Sequence, residues 1–396
     1  MNGRIIEREG SSPLKILTTG DNHLGKRQYK SNTRRQDYMD SFREVIDIAI
    51  EQNVDAVVNK GDLFDDPEPN VQTVMNCTEE IGRLEDHDIP FLAIVGNHER
   101  KQSTQWVDLI GKLSNIYRLS QEPTILHNDS YGICIYGIDA IRKYEWESMD
   151  LSLTTPEPEF SDYPRFTVMH ELISPPIQEG IHDYEAEVIL NRFDMEIDLL
   201  GLSDYHEPIE AVVNDIPIYY SGATEKTKYN EPDTHSVVIL TVAKDISKER
   251  VELTESRPFK VLSINFEETT TFADIIPELD SVSLHTDEKN PVVVVKLSGA
   301  DTGVPTNRIR DYLSENGAEI VKVYDNRGDS EVNIDELSLE TDIHGLEGAI
   351  DKSLGDLNLS TETVQINEKV RDLEVPKTHI RSQTKDLVKE GDTDAN

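Results

Sequence analysis

Cysteine is nearly missing from this chain of 396 residues, Cys77 and Cys134 being the only two. Two isolated thiols, each inside an apolar segment, exclude a disulfide framework and a thiolate-rich metal site. Both read as small buried hydrophobes in a reducing, cytoplasmic compartment. Also lacking is any apolar run long enough to cross a bilayer, and the first thirty residues contain no apolar stretch of the secretory kind. A soluble, unprocessed protein with no membrane partner is therefore expected. Basic residues are scarce: 39 stand against 77 acidic ones, for a net charge of -38. Self-repulsion of that size weakens a compact state in dilute salt, whereas salt near 1 M screens it within about 3 Å. The surface is accordingly read as haloarchaeal in type. The same deficit counts against nucleic-acid binding, which ordinarily requires a basic stripe.

What is present is an alternation of apolar runs and amphipathic helices, too long for one ordinary core. Residues 14–19, 54–58 and 90–95 are short apolar runs, each ending in a polar cluster, as buried parallel strands do. Between them, Tyr38, Phe42, Val45, Ile46, Ala49 and Ile50 recur at helical spacing, as do Val71, Val74, Met75, Thr78, Ile81 and Leu84. Both stripes are assigned to core packing, with Met75 and Trp106 also considered for a dimer surface. Further strands are expected at 132–137, 166–169, 197–202, 216–220 and 237–242, and a surface loop at 143–164. The organisation expected is a flexible N-terminus (1–12), a layered α/β domain of mixed sheets flanked by helices (13–256), a smaller α/β domain (257–345) and a charged, partly disordered tail (346–396). That tail holds one short helix near 364–373.

The chemistry lies where strands end. The first three runs finish in Gly20-Asp21-Asn22-His23, Gly61-Asp62-Leu63-Phe64-Asp65 and Gly96-Asn97-His98-Glu99. Two later strands finish in Met169-His170-Glu171 and Ser203-Asp204-Tyr205-His206. One strand-helix unit separates each of the first three, so these tips meet at the carboxyl edge, where open α/β sheets bind ligands. Carboxylate, imidazole and amide oxygen without thiolate suit Mn²⁺ or a similar divalent ion better than structural zinc. Seven such groups (Asp21, His23, Asp62, Asn97, His170, Asp204 and His206) are too many for one ion. Two ions about 3.5–4 Å apart sharing a carboxylate could bind a phosphodiester and lower the pKa of a water.

At these residues the sequence resembles the calcineurin-like metallophosphoesterases, whose pattern is D-x-H, G-D, G-N-H-[DE], H and G-H-x-H, over roughly residues 14 to 225. Within them, Gly20-Asp21-Asn22-His23-Leu24-Gly25 and Tyr219-Tyr220-Ser221-Gly222-Ala223-Thr224-Glu225 resemble the SbcD and Mre-eleven branch, nuclease subunits of double-strand-break repair. The resemblance implies two Mn²⁺ per subunit, with other divalent ions open. Asp21, His23 and His206 would hold one, Asn97 and His170 the other, and Asp62 would bridge. It implies that His98 acts on the phosphate, oriented by Glu99, and that the second domain caps DNA.

One position departs from the pattern: Asp204 stands where the first histidine of G-H-x-H is expected. A carboxylate can still ligate Mn²⁺, at the cost of some Lewis acidity. The expected activity is a Mn²⁺-dependent 3′–5′ exonuclease and single-strand endonuclease, working on DNA as a homodimer with a coiled-coil ATPase of the SbcC and Rad-fifty kind. The alternatives are a small-molecule phosphatase or phosphodiesterase of the same superfamily, or a DNA-end scaffold weakened by Asp204. For DNA contacts, the basic cluster Lys26, Arg27, Lys30, Arg34 and Arg35 is the first choice, and Lys226 with Lys228 beside Tyr229 a second.

Overall fold

The strand Leu14–Thr19 sits near the middle of a six-stranded sheet because nearly every side chain on it is apolar or small and both faces are covered. In the computed structural model, which describes residues 4–142, 145–284 and 289–328, it pairs in parallel with Ala56–Asn59. Phe91–Ala93 and Ile116–Arg118 continue that parallel order. On its other side it pairs antiparallel with His235–Val242, which in turn pairs with Ile246–Leu253. A seven-stranded sheet lies behind, running in space as Arg4–Glu7, Thr124–His127, Gly132–Ile138, Arg165–His170, Leu199–Ser203, Ile216–Tyr220 and Ile209–Val213.

Three cores hold these layers. Leu14, Ile16, Val58 and Ile94 of the first sheet meet Ile133, Ile135, Phe166 and Val168 of the second. The opposite face of the first sheet packs on the helices Asn32–Glu51 and Val71–Glu85 through Phe42, Val45, Ile46, Cys77, Ile81 and Leu84. Ser31 caps the first helix, accepting from the amides of Thr33 (3.1 Å) and Arg34 (3.3 Å). The outer face of the second sheet is covered by a third cluster.

Sequence and structure part in several places. Residues 4–7, expected to be a flexible lead, form an edge strand whose backbone pairs in parallel with Thr124–His127. The Ile246–Leu253 strand was not anticipated, since most of its residues are exposed and half are charged, and pairing rather than burial holds it. Within 143–164, expected to be a surface loop, Leu151 and Leu153 are each 2% exposed and join the third cluster. Both cysteines are free and buried. Met75 is exposed, whereas Trp106 turns inward and donates its ring N–H to the Pro67 carbonyl at 2.9 Å.

The smaller sheet has the parallel order Phe259–Phe266, Val292–Gly299, Ile320–Asp325, with the helices Phe272–Asp280 and Thr306–Glu315 supplying its core. It belongs to the same compact unit, which runs to Gly328. Arg257 fastens it with a two-pronged bond to Asp37, at 2.8 Å each, and Tyr29 and Tyr229 pack against Phe259 and Tyr324. The expected continuation of this region to 345, the tail from 346 and its helix near 364–373 lie outside the described residues.

Candidate metal centre

Two loops are stitched together before any side chain is considered. The amide of Asp21 donates to the Gly61 carbonyl (3.1 Å), that of His23 to Asp62 (3.0 Å) and that of Leu24 to Leu63 (2.9 Å). Neighbouring parallel strands end at the same height, so their loops run side by side. Asp21, His23, Asp62 and Asp204 have φ of 49°, 46°, 53° and 85°, a left-handed region costing non-glycine residues about 1–3 kcal/mol and found mainly at functional sites. Gly96 is needed for close approach: a Cβ there would sit 2.0 Å from Asp62 Oδ1 and 2.3 Å from the Asp62 amide nitrogen.

Three imidazoles turn Nε2 inward and Nδ1 toward a protein acceptor. His170 Nδ1 meets the Lys60 carbonyl at 2.9 Å, His206 Nδ1 meets Glu231 Oε1 at 2.8 Å, and His23 Nδ1 lies 3.3 Å from Asp65 Oδ1. This outer arrangement orients metal-binding histidines and leaves Nε2 with its lone pair. The inward nitrogens converge: His23 Nε2 and His206 Nε2 are 3.3 Å apart, and Asp62 Oδ2 lies 3.3 Å from His170 Nε2 and 3.9 Å from His23 Nε2. Ligand atoms of Asp21, His23 and His206 fall within 4.8 Å of one another, as do those of Asp21, Asp62 and His170.

The donor set fits a pair of cations. Asp62 Oδ2 and His170 Nε2 are buried without a hydrogen-bond partner, and two imidazole acceptors facing each other at 3.3 Å leave their lone pairs opposed unless a cation or proton lies between. The fields agree with this. Burial opposes ionisation of Asp62, but His170 and His23 outweigh it and hold the carboxyl well below its usual range. Burial likewise opposes protonation of His170, yet Asp62, Asp21 and Asp204 raise it well above that of an ordinary imidazole.

Asp204 sits at the second cluster. Its Oδ1 is 3.6 Å from His170 Nε2 and accepts from Asn97 Nδ2 at 3.3 Å, while its amide donates to both Asp21 oxygens at 3.1 and 3.2 Å. Asn97 is thereby brought to the site, though its side chain is exposed. His98 is half-buried above His23, edge-on with ring centres 4.8 Å apart, and its amide donates to Asp62 Oδ1 at 3.0 Å.

The orienting role expected of Glu99 needs correction. Its carboxylate accepts the amides of Phe64 (3.0 Å) and Gly96 (3.2 Å), tying the second loop to the third, and burial with the Asp62 charge pushes its pKa up to about 7. His98 Nδ1 instead faces the Asp65 carbonyl oxygen at 3.2 Å. The basic cluster also divides. Arg34 is fully buried and bonded to Gln28, Asp37, Glu225 and the Lys226 carbonyl, so it cannot touch DNA. Lys26 is 7% exposed and donates to Asp65 at 3.0 Å. Arg27 and Lys30 are exposed and Arg35 half-buried. Lys226 is buried against Asp233, and Lys228 is half-buried.

Three supporting groups escaped the reading of the sequence. Asp65 closes the Gly61-Asp62-Leu63-Phe64-Asp65 strand end, so its place was readable even though its role was not. Glu231 follows no local pattern. Lys60 precedes Gly61-Asp62 and is fully buried, donating to the Leu202 carbonyl and Ser221 Oγ, both at 2.8 Å. Burial pushes its ammonium down to about 7, against the opposing pull of Asp21.

Against known proteins, the profile of the calcineurin-like phosphoesterases matches residues 14–228. The chain is similar to proteins named DNA double-strand break repair protein Mre11. That of Methanosarcina mazei is 32% identical over 94% of this chain and 59% of its own length. That of Haloferax volcanii is 28% identical over 94% and 81%, and that of Halobacterium salinarum 29% identical over 96% of each. The chain thus spans about three-fifths of the first relative and nearly all of the last.

Proposed function

Because this chain belongs to the calcineurin-like phosphoesterase family, whose profile covers residues 14–228, we propose that it is a Mn²⁺-dependent DNA nuclease of double-strand-break repair. It acts as a 3′–5′ exonuclease and single-strand endonuclease. The observation that carries this reading is the convergence of three Nε2 atoms on Asp21 and Asp62, with His98 beside them. Asp21, His23 and His206 would hold one ion and Asn97, His170 and Asp204 the other, with Asp62 between. When bound, such a pair supplies Lewis acidity for water activation and for the leaving oxygen.

The chain's own residues do the rest. Asp65, Glu231 and the Lys60 carbonyl keep the imidazoles in the tautomer that ligates. His98 stands at the open side of the site, where it can donate a proton or hydrogen bond to a phosphate oxygen, aligned by the Asp65 carbonyl. Asp204 keeps three carboxylates around the site where the family pattern leaves two, favouring Mn²⁺ over softer ions. DNA, a second copy of the chain and a coiled-coil ATPase of the Rad-fifty kind are the proposed partners, in keeping with the Mre11 relatives. A cytoplasmic location accords with the absence, among the described residues, of a helix able to cross a membrane.

The test is cleavage of labelled duplex and single-stranded DNA with Mn²⁺ in about 1 M KCl, where surface repulsion is screened. The wild type should cut DNA in preference to small phosphoesters, and His98→Ala should lose about 10²–10⁴-fold in rate while still taking up metal. An inert wild type revived by Asp204→His would overturn the assignment of Asp204. Preference for small phosphoesters would point to a phosphatase.

A further inference from the structure

A cavity of about 300 Å³ lies beside the metal centre and plays no part in the chemistry above. Two of its lining residues are hydrogen-bonded to the loops that carry Asn97 and His170. The Ala140 amide donates to the Val95 carbonyl at 2.9 Å, immediately before Gly96-Asn97-His98, and Arg100 donates back to the Ala140 carbonyl at 2.6 Å. On the other side the Ile141 amide donates to the carboxylate of Glu171, which follows His170. A ligand held here rests on a segment bonded directly to the loops that carry Asn97 and His170.

The lining is unusual for so acidic a chain. Leu119, Ile138, Ile141 and Met149 provide apolar surface, and Arg100 and Arg118 flank it. Arg100 is paired with Glu145 at 3.0 Å, and Arg118 with Asp139 and, at 3.0 Å, with Asp108. The charged lining groups Arg100, Arg118, Asp139 and Glu145 cancel, inside a protein of net charge -38. A guanidinium whose N–H edges are taken up by carboxylates binds further groups through its flat face. Neighbouring carboxylates make the cavity poor for phosphate. An uncharged flat heterocycle suits a lining made partly of apolar side chains and partly of charge-neutralised guanidinium groups.

We propose that this cavity receives one unstacked nucleobase of the DNA strand whose phosphate lies at the metal centre, an inference that rests on the nuclease reading. It answers a difficulty of the acidic surface. Backbone contacts lose affinity steeply as salt rises, whereas base stacking and apolar burial do not depend on counterion release. The base pocket then anchors the strand where phosphate attraction is weakest.

The experiment compares binding of a short single-stranded oligonucleotide with that of the same backbone made abasic throughout, using the full chain at several KCl concentrations. The base-bearing strand should bind about tenfold more tightly, and the ratio should persist as salt weakens both. Ser120→Trp and Met149→Asp, each at a residue that lines the cavity, should abolish the preference. Both should leave Mn²⁺-dependent hydrolysis of bis(p-nitrophenyl) phosphate, which has no base, unchanged. Equal affinity of the wild type for the two strands, or full preference in both variants, overturns the proposal while that hydrolysis persists. Displacement of the strand by free deoxyadenosine monophosphate with equal affinity would reassign the pocket to a free nucleotide. Failure of the wild type to hydrolyse the small diester would overturn the metal-centre reading instead.

Discussion

Glu231 Oε1 lies 2.8 Å from Nδ1 of His206, although 25 residues separate them. The carboxylate also accepts from the amide and the hydroxyl of Thr227, both at 2.6 Å, so it is held on both sides and fixes the ring that faces His23. Burial opposes its ionisation, but the His206 pairing and the Thr227 bonds hold its pKa down at about 2.

Glu231→Gln should accordingly weaken metal binding by about 10–100-fold, the usual consequence of losing a carboxylate behind a metal-binding histidine. Titration of the chelated protein with Mn²⁺, followed by calorimetry, reads this directly. Unchanged affinity would mean that Thr227 orients His206 alone.

Gly96→Ala should abolish metal uptake, since the added methyl carbon would occupy the space of Asp62 Oδ1. Gly82→Ala is the control, because its Cβ would meet nothing within 4 Å. Thermal unfolding with and without Mn²⁺ separates the two: metal should raise the midpoint of the control and leave that of Gly96→Ala where it was.

Lys60 sets a pH dependence. Its folded value of about 7 lies below the ordinary 10.5, so between the two the unfolded chain binds a proton that the folded chain does not. Stability from this group therefore rises with pH across that interval, by about 1.4 kcal/mol per unit at most. In Lys60→Met this contribution should vanish. Urea midpoints of the chelated protein at pH 7.5 and 9.5, both inside the interval, check it. Equal slopes in wild type and variant would show Lys60 charged in the folded state throughout.

Arg34 and its neighbours should behave oppositely. Arg34→Ala leaves the buried Glu225 without its ion-pair partner and Asp37 with Arg257 alone and should cost about 3–5 kcal/mol of stability, read by denaturant unfolding. Arg27→Ala with Lys30→Ala should leave stability unchanged and lower the salt slope of DNA binding by about 2. Fluorescence binding at three KCl concentrations decides the latter. A stability loss in the surface pair, or none in Arg34→Ala, would contradict the burial on which both rest.

The proposed ligands were readable as a converging set because each is punctuation at the end of an apolar run, and parallel strands of similar length carry their ends to one edge. Asp21, Asp62, His170 and His206 needed only that rule to be brought together. Arg34 misled because a cluster of basic letters looks the same whether its members face water or a buried carboxylate. Glu99 misled because adjacency in sequence implies contact only when the backbone does not turn; here its carboxylate points back to Phe64 and Gly96. The 246–253 strand was hidden because an edge strand is held by backbone pairing, which leaves its side chains free to be polar.

Linear order thus determined which chemical groups reach the carboxyl edge of the sheets, since strand ends are set by local apolarity and turn residues. The partners behind those groups were decided only in three dimensions. Glu231 behind His206, the Lys60 carbonyl behind His170 and the paired arginines around the neighbouring cavity are contacts between loops distant along the chain. Their choice depends on the register and stacking of two sheets, and no short-range pattern records that.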